Sequence, residues 1–262
     1  MMIYRKEMRQ SFKSLVIWTC SIAFMLLICI FMFPEMKGEM DSVSSVFSNM
    51  GEFSAAFGMD QLSFGELMGF YGVECGNILG IGGGFFAALA GISVLAGEEK
   101  ERTAEFLLTY PVSRTSVLTQ KLAAVLTQVI VLNIFAEAVS LISAAVIGES
   151  FQMREFLLLH TAYMMMQIEI ACICFGISAF IRRGSIGIGL GLALVLYFMN
   201  IICNISEQAE FLKYITPYAY AEASNIISGS ELEWGLIGFG AVYALVGIVV
   251  AFLKYTKKDI AS

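Results

Sequence analysis

The sequence lacks most of the features from which a soluble enzyme or binding protein is recognised. It has one histidine and three prolines, and only 15% of its 262 residues are charged. The six cysteines form no CxxC pair and have no neighbouring histidine, so we expect neither disulfides nor a zinc site. The glycine-rich stretch GIGGG at 80–84 is not followed by Lys-Ser or Lys-Thr, which excludes a Walker A loop.

Missing residue patterns also argue against nucleic-acid binding and against catalysis. No basic patch is interleaved with aromatic residues, so we expect no nucleic-acid partner. No His/Asp/Glu or Ser/Lys constellation stands at the end of an apolar run, so we expect no catalytic residue. We also expect this chain to hold no metal and no cofactor of its own.

The chain is rich instead in long apolar runs. Hydrophobic residues make up 58% of it and its mean hydropathy is +0.78. A helix needs about 20 apolar residues to cross a bilayer, and six runs meet that length. The first, 15–33, is longer than the core of a signal peptide and no small-x-small site follows it, so we interpret it as a retained span. We predict an all-α polytopic membrane protein, 1–262 forming a single transmembrane domain, with spans at about 15–34, 71–96, 117–147, 156–181, 185–203 and 233–253.

The basic residues predict the orientation of these spans. If the N-terminus lies inside, thirteen of the sixteen lysines and arginines fall in cytoplasmic segments, and only Lys37, Arg154 and Lys213 fall outside. Both termini are therefore predicted to be cytoplasmic, and we expect the chain to lie in the cell membrane of a prokaryote.

The first fourteen residues have the pattern of an amphipathic helix. Tyr4 and Met8 lie on one face, while Arg5 and Arg9 lie on the other. This pattern predicts a basic helix, 1–14, that lies along the inner leaflet and then turns into the first span.

Ionisable and amide side chains inside apolar runs are candidate functional residues, because they are costly at that depth. Glu74 lies near the outer end of the second span. Glu137 lies in the third span one turn after Asn133, and Glu169 lies near the middle of the fourth. Two roles stay open for Glu169, a structural hydrogen bond or the lining of a transport path. The candidate path residues are Asn133, Glu137 and Glu169.

The second span carries glycines at a strict four-residue spacing. They are Gly72, Gly76, Gly80 and Gly84. A stripe of small residues lets another helix approach closely, so it predicts helix packing, either within the chain or against a second copy.

A charged, helix-favouring segment separates the second and third spans. Over 98–110 the leucines Leu107 and Leu108 lie on one face, opposite a charged face. Pro111 ends this helix, and Ser113 is placed to cap the next one. The segment is predicted to be a short cytoplasmic helix. Its charged face carries Glu98, Arg102, Glu105 and Thr109.

The stretch GEEKERTAEFLLTYPVSR resembles the type-two ABC transporter permeases. These proteins share a Gly-Glu-Glu-x-x-Gly-Thr-x-x-x-Leu-Leu-x-x-Pro-x-Ser-Arg motif followed by a lysine. Arg102 stands where the family usually has glycine. The matching residues are Gly97, Glu98, Glu99, Thr103, Leu107, Leu108, Pro111, Ser113, Arg114 and Lys121.

The resemblance implies a division of labour between subunits. A separate ABC ATP-binding subunit would bind ATP and Mg, and two permease copies, as a homodimer or a related heterodimer, would enclose the transport path in the lipid bilayer. The helix 98–110 would be the coupling helix that contacts the ATPase. The implied coupling residues are Glu98, Glu99, Arg102, Thr103, Phe106, Leu107, Leu108, Pro111 and Arg114.

The leading hypothesis is therefore the permease subunit of an ABC exporter with an apolar, amphipathic or peptide substrate. A proton-coupled secondary transporter with Glu137 and Glu169 as relay residues is the alternative. A non-transporting immunity or sensor protein on the same scaffold also stays open.

Overall fold

The chain folds as a bundle of long helices. The computed structural model describes residues 2–38, 51, 54, 56, 62–100, 113–181 and 186–257. Across these residues no strand occurs, and six helical stretches are long and apolar enough to cross a membrane. The prediction of an all-α polytopic membrane protein with six spanning helices is confirmed.

Eight α-helices and three other helical segments make up the described fold. The second span is composite, because α2, a π-helical segment and α3 follow each other without a break. In chain order the elements are α1 (Met2–Lys37), α2 (Leu67–Cys75), the π-helical segment (Gly76–Gly82), α3 (Gly83–Lys100), α4 (Arg114–Val146), α5 (Met153–Ser178), α6 (Ile186–Ile205), two 3₁₀ segments (Glu207–Tyr214 and Ala219–Ala221), α7 (Ala223–Gly229) and α8 (Trp234–Lys257).

The N-terminal segment differs from its prediction. Met2–Lys37 is one uninterrupted helix of 36 residues, so no turn separates an amphipathic helix 1–14 from the first span. No glycine or proline occurs before Pro34, so nothing in the backbone chemistry of this stretch breaks the helix. At 1.5 Å per residue, α1 is about 54 Å long, well beyond a hydrocarbon core of about 30 Å.

The π-helical segment of the second span was not predicted. It has the sequence GNILGIG, and two of its carbonyl groups also accept hydrogen bonds from side chains of other elements. The Gln167 amide donates to the Leu79 carbonyl at 3.2 Å, and the Tyr218 hydroxyl donates to the Gly80 carbonyl at 3.4 Å. These two side chains therefore stabilise the segment from outside.

The spanning helices divide into inner and outer ones. In the most apolar stretch of each helix, 61% of the second span and of α5 is buried inside the chain. The corresponding share is only 22% in α6 and 17% in α8. The core is accordingly built around α5 and the second span. The apolar faces of α6 and α8 are left for lipid or for another subunit.

Contacts between elements define the two ends of the bundle. At the terminal end, where α1 begins and α8 ends, the Tyr4 backbone N–H donates to Gln120 Oε1 at 3.3 Å. There Arg114 Nη1 also donates to the Thr256 carbonyl at 3.1 Å. These contacts join the start of α1, the start of α4 and the last turn of α8.

Different contacts mark the opposite end. Lys37, at the end of α1, forms an ion pair with Glu149 at 2.6 Å. Ser230, just after α7, donates a hydrogen bond to Glu155 at 2.6 Å. The segments that follow α6 lie at this end, with the two 3₁₀ segments and α7 between α6 and α8.

Candidate functional site

The predicted coupling helix lies largely outside the described residues. Glu98 and Glu99 belong by their backbone to the end of α3, which continues to Lys100. Arg102, Thr103, Phe106, Leu107, Leu108 and Pro111 are outside the described part of the chain. Their role as a contact for an ATPase stays a prediction.

The start of α4, just after this segment, is described. Ser113 caps it as predicted, because its Oγ accepts a hydrogen bond from the Ser116 backbone N–H at 3.3 Å. Arg114, the first residue of α4, reaches the Thr256 carbonyl of α8. The start of α4 is therefore held against the last turn of α8.

A buried ion pair lies at the same end of the bundle. Lys121 Nζ donates to Glu7 Oε1 at 2.7 Å and to the Val94 carbonyl at 2.9 Å. The Lys121 side chain is 1% exposed and that of Glu7 is 12% exposed. We call Glu7, Val94 and Lys121 the Lys121 cluster.

The Lys121 cluster joins three helices at the terminal end. Glu7 is on α1, Val94 is near the end of α3 and Lys121 is in the second turn of α4. α3 and α4 are the two helices that flank the predicted coupling helix. The cluster therefore joins α1 to the two helices that come before and after the predicted coupling helix in the sequence.

Amides form a second polar contact deep in the bundle. Asn133 Nδ2 donates to Gln167 Oε1 at 2.7 Å and to the Val129 carbonyl at 2.9 Å. Gln167 in turn donates to Leu79, as described above. Asn133, predicted as a path residue, is 3% exposed and joins α4 to α5, and Gln167 extends this contact to the π-helical segment.

The glycine stripe faces bulky side chains of the same chain. A Cβ atom at Gly72 would lie 2.4 Å from Ile227, and one at Gly76 would lie 3.0 Å from the Tyr163 hydroxyl. At Gly84 the Tyr218 hydroxyl would be 2.3 Å away. The stripe thus makes room for side chains from α5, α7 and the segment after α6.

Glu169 lies between α5, α8 and the second 3₁₀ segment. Its Oε2 accepts a hydrogen bond from the Tyr220 hydroxyl at 2.9 Å. A Cβ atom at Gly240 would overlap this oxygen at 2.1 Å, so a larger residue there would displace the carboxyl. The side chain is 3% exposed, and Oε1 has no hydrogen-bond partner in the described part of the chain.

The other two intramembrane acids are more accessible. Glu137 is half-buried at the edge of the exposed face of α4, next to the exposed Ala138. Glu74 is also half-buried and accepts a hydrogen bond from the Cys29 thiol at 3.7 Å. Glu137 and Glu169 therefore differ in exposure, the first half-buried and the second 3% exposed.

His160 belongs to a hydrogen-bonded aromatic group near the opposite end. Its Nε2 lies 2.9 Å from the Tyr71 hydroxyl, which also bonds Ser140 Oγ at 2.8 Å. Phe151 and Phe156 pack on Tyr71. Across the described residues, no group of three or more His, Cys, Asp or Glu side chains is placed to hold a metal ion.

Sequence reasoning missed three of these partners. Glu7 falls in the predicted helix 1–14, Tyr220 falls between the fifth and sixth predicted spans, and Gln167 falls in the fourth predicted span, but none of the three is a predicted site residue. Each contacts a residue that is 34 or more positions away in the chain. A single sequence carries no signal for such pairings, because helical spacing reports only which residues share one face.

We predict that Tyr220→Phe lowers the free energy of unfolding by about 1–3 kcal/mol, because Glu169 Oε2 would lose its donor in a buried site. Glu169→Gln keeps an acceptor for Tyr220 and should cost less than about 1 kcal/mol. The measurement is denaturant titration of the purified protein in mixed micelles. Tyr243→Phe is the matched control, since the exposed Tyr243 hydroxyl donates to the Tyr214 carbonyl at 3.1 Å. An equal loss in both Tyr→Phe variants would contradict the prediction.

The fold and these contacts define a polytopic helical membrane protein whose buried polar groups join its own helices. The sequence model of the family described as ABC-2 family transporter protein matches residues 1–260. The chain belongs to this family, and the resemblance seen in its sequence is confirmed. No curated protein matches the chain. Family membership makes it the multi-pass membrane component of an ABC transporter, and it implies a partnering ATP-binding subunit.

Proposed function

We propose that the chain is the permease of an ABC exporter, in which two permease copies work with two ATP-binding subunits. The family match over 1–260 carries the proposal. The amphipathic segment 98–110 supports it, as does the Lys121 cluster that joins the helices on either side of this segment. ATP and Mg are bound by the partner subunit.

The terminal end of the bundle faces the cytoplasm in this proposal. Of the described basic residues, Arg5, Lys6, Arg9 and Lys13 on α1 and Arg114 on α4 lie towards this end. Positive charge on the inner side is the rule for membrane proteins, so the terminal end is the one that an ATPase would meet. The membrane is the cell membrane of a prokaryote.

ATP-driven closure of the ATPase pair moves the coupling helix and, with it, α3 and α4. The Lys121 cluster passes this motion to α1, and the Arg114–Thr256 contact passes it to α8. Packed helices respond to such a displacement as rigid elements, because a close-packed core deforms little. The result is alternating access to a path between the two permease copies.

The substrate is an apolar, amphipathic or peptide molecule in this proposal. The apolar faces of α6 and α8 are exposed in the single chain and suit such a molecule or a second copy. Glu137, at the edge of the exposed face of α4, is the intramembrane acid best placed to meet the path. Asn133 and Glu169 would reach it only if the subunit itself opened, since both are 3% exposed.

We predict that Leu107→Asp leaves the protein inserted but abolishes the coupling of ATP hydrolysis to transport, because a carboxylate replaces an apolar contact with the ATPase. Glu98→Ala should weaken coupling in the same direction. The measurement is ATP hydrolysis and transport in proteoliposomes that contain the permease and its cognate ATPase.

Phe211→Asp is the matched control for this experiment. Phe211 is 61% exposed in the first 3₁₀ segment, on the far side of the membrane from the ATPase. It should retain coupling. Full ATP-dependent transport by Leu107→Asp would refute the coupling assignment. Transport that persists without ATP and collapses with an ionophore would favour the proton-coupled alternative.

A further inference from the structure

The first turns of α1 present a row of cations to the surroundings of the bundle. Arg5, Arg9 and Lys13 are exposed and recur every four residues, so they lie along one face of the helix. Across the described residues, none of these three side chains forms an ion pair or a hydrogen bond. Glu7, the acid of this stretch, lies on the buried face and pairs with Lys121. We call Arg5, Arg9 and Lys13 the cationic face of α1.

The uncharged stretch that follows places this face relative to the membrane. No charged residue occurs over 14–34, and these helical residues rise about 32 Å, which matches a hydrocarbon core of about 30 Å. Lys13 therefore lies at the hydrocarbon boundary, with Arg9 about 6 Å and Arg5 about 12 Å beyond it. The headgroup layer is about 5–8 Å thick on each side, so it contains Lys13 and Arg9 but not Arg5.

The direction of the side chains strengthens this difference. In a helix each Cα–Cβ bond is tilted towards the N-terminus, which in α1 points away from the membrane. The Lys13 stem can therefore carry its ammonium out of the hydrocarbon and into the headgroup layer. The same tilt takes the Arg5 guanidinium further from the lipid. Because α1 is one uninterrupted helix over Met2–Lys37, this order along the axis is fixed.

An exposed aromatic ring at the same level indicates lipid rather than water. Phe12 is 60% exposed and lies on the same side of α1, between Arg9 and Lys13 along the axis. Val16 and Ile17, which are also exposed, continue this surface into the apolar stretch. Cations and a phenylalanine on one exposed surface are typical of the boundary between headgroups and acyl chains. The surface suits a molecule that has a negative headgroup and an apolar tail.

We propose that Arg9 and Lys13 bind the phosphate group of an anionic phospholipid whose acyl chains lie along the exposed apolar residues of α1. A basic residue at this level attracts an anionic headgroup, and an arginine donates two parallel N–H groups to a phosphate. In the orientation proposed above, the lipid belongs to the inner leaflet. The site goes beyond the proposed function, because it lies on one chain and its lipid titration needs neither ATP nor an ATPase.

The test is native mass spectrometry of the full chain, released from detergent micelles that contain phosphatidylglycerol. Arg9→Gln with Lys13→Gln should weaken the binding of phosphatidylglycerol by about ten-fold or more, since both cations of the site are lost. Arg5→Gln with Lys6→Gln is the matched control. It removes the same charge from the same helix, but about 10–12 Å beyond the hydrocarbon boundary, and should change the affinity by less than about three-fold.

Three further measurements separate a lipid site from a change in the helix itself. Arg9→Lys with Lys13→Arg keeps both charges and should bind phosphatidylglycerol within about three-fold of the unchanged chain. Phosphatidylcholine has no net charge, so it should bind at least about ten-fold more weakly and should not respond to the loss of the two cations. Inorganic phosphate in about ten-fold excess should not displace the lipid, because it lacks the acyl chains.

The proposal is overturned if the two double glutamine variants bind phosphatidylglycerol equally well. If that result comes with weaker binding of the cognate ATPase to Arg9→Gln with Lys13→Gln, the cationic face of α1 is a protein contact instead. Equal affinity for phosphatidylcholine and phosphatidylglycerol, or displacement of the lipid by inorganic phosphate, would also contradict a site for an anionic phospholipid.

Discussion

Lys121→Met is expected to lower the free energy of unfolding by about 3–5 kcal/mol, because it leaves the buried Glu7 without its cation and removes the hydrogen bond to the Val94 carbonyl. Methionine is close to lysine in length and shape, so the loss comes from the missing charge and hydrogen bonds rather than from a cavity. The measurement is the unfolding free energy of the purified protein in mixed micelles.

An exposed ion pair supplies the control. Lys37 and Glu149 are 2.6 Å apart, but their side chains are 48% and 30% exposed. Lys37→Met should therefore lower the free energy of unfolding by less than about 1 kcal/mol, since water can solvate the exposed Glu149 carboxylate in place of the lysine. A similar loss in Lys121→Met and Lys37→Met would show that the Lys121 cluster is not a buried pair.

A double variant measures the interaction energy between Glu7 and Lys121, apart from the loss that each single substitution causes. Glu7→Gln with Lys121→Met removes both charges, and its loss should be smaller than the sum of the single losses by about 1–3 kcal/mol. If the double variant is stable but no longer couples ATP hydrolysis to transport, the cluster transmits motion. Full coupling in a stable double variant would limit the cluster to a structural role.

Gly91→Ala is expected to cost about 3 kcal/mol, because a Cβ atom there would lie 2.3 Å from the Ala171 carbonyl oxygen. The obstacle is backbone of α5, which cannot move aside as a side chain can. α3 and α5 would have to separate along the centre of the bundle. The measurement is the same unfolding titration, together with the yield of monodisperse protein.

Gly191→Ala is the control for this substitution. Gly191 is also in a spanning helix, but no heavy atom lies within 4 Å of the added Cβ position. Alanine should be neutral there or stabilise the helix by up to about 1 kcal/mol, through its higher helix propensity. If Gly91→Ala were as stable as Gly191→Ala, the close approach of α3 to α5 would be wrong.

Much of the architecture was predictable because it depends on local properties. An apolar run of about 20 residues must form a helix in a bilayer, since lipid offers no partner for free backbone groups. That argument predicts six spans. Pro111, which ends a helix, and Ser113, which caps the next one, predict the break between the second and third spans. The family motif in the same interruption predicts an ATPase partner.

The candidate site was less predictable because its contacts are long-range. The Lys121–Glu7 pair links positions 114 residues apart, and Lys121 appeared in the sequence only as one letter of a motif. The turn expected after the first fourteen residues rested on an amphipathic pattern alone. The structure extends α1 through this stretch because contacts such as Tyr4–Gln120 hold it against α4.

The π-helical segment also affects the angular phase of the second span. In an α-helix, residues four apart drift by about 40° per step, so Gly72 and Gly84 would end about 120° apart around the axis. A wider turn advances less per residue and reverses part of that drift. Gly76 and Gly80 accordingly both face Tyr163, and Gly80 and Gly84 both face Tyr218. If the segment rewound to an α-helix, the glycines would rotate away from these tyrosines, so a change of helix type here would rotate one half of the span against the other.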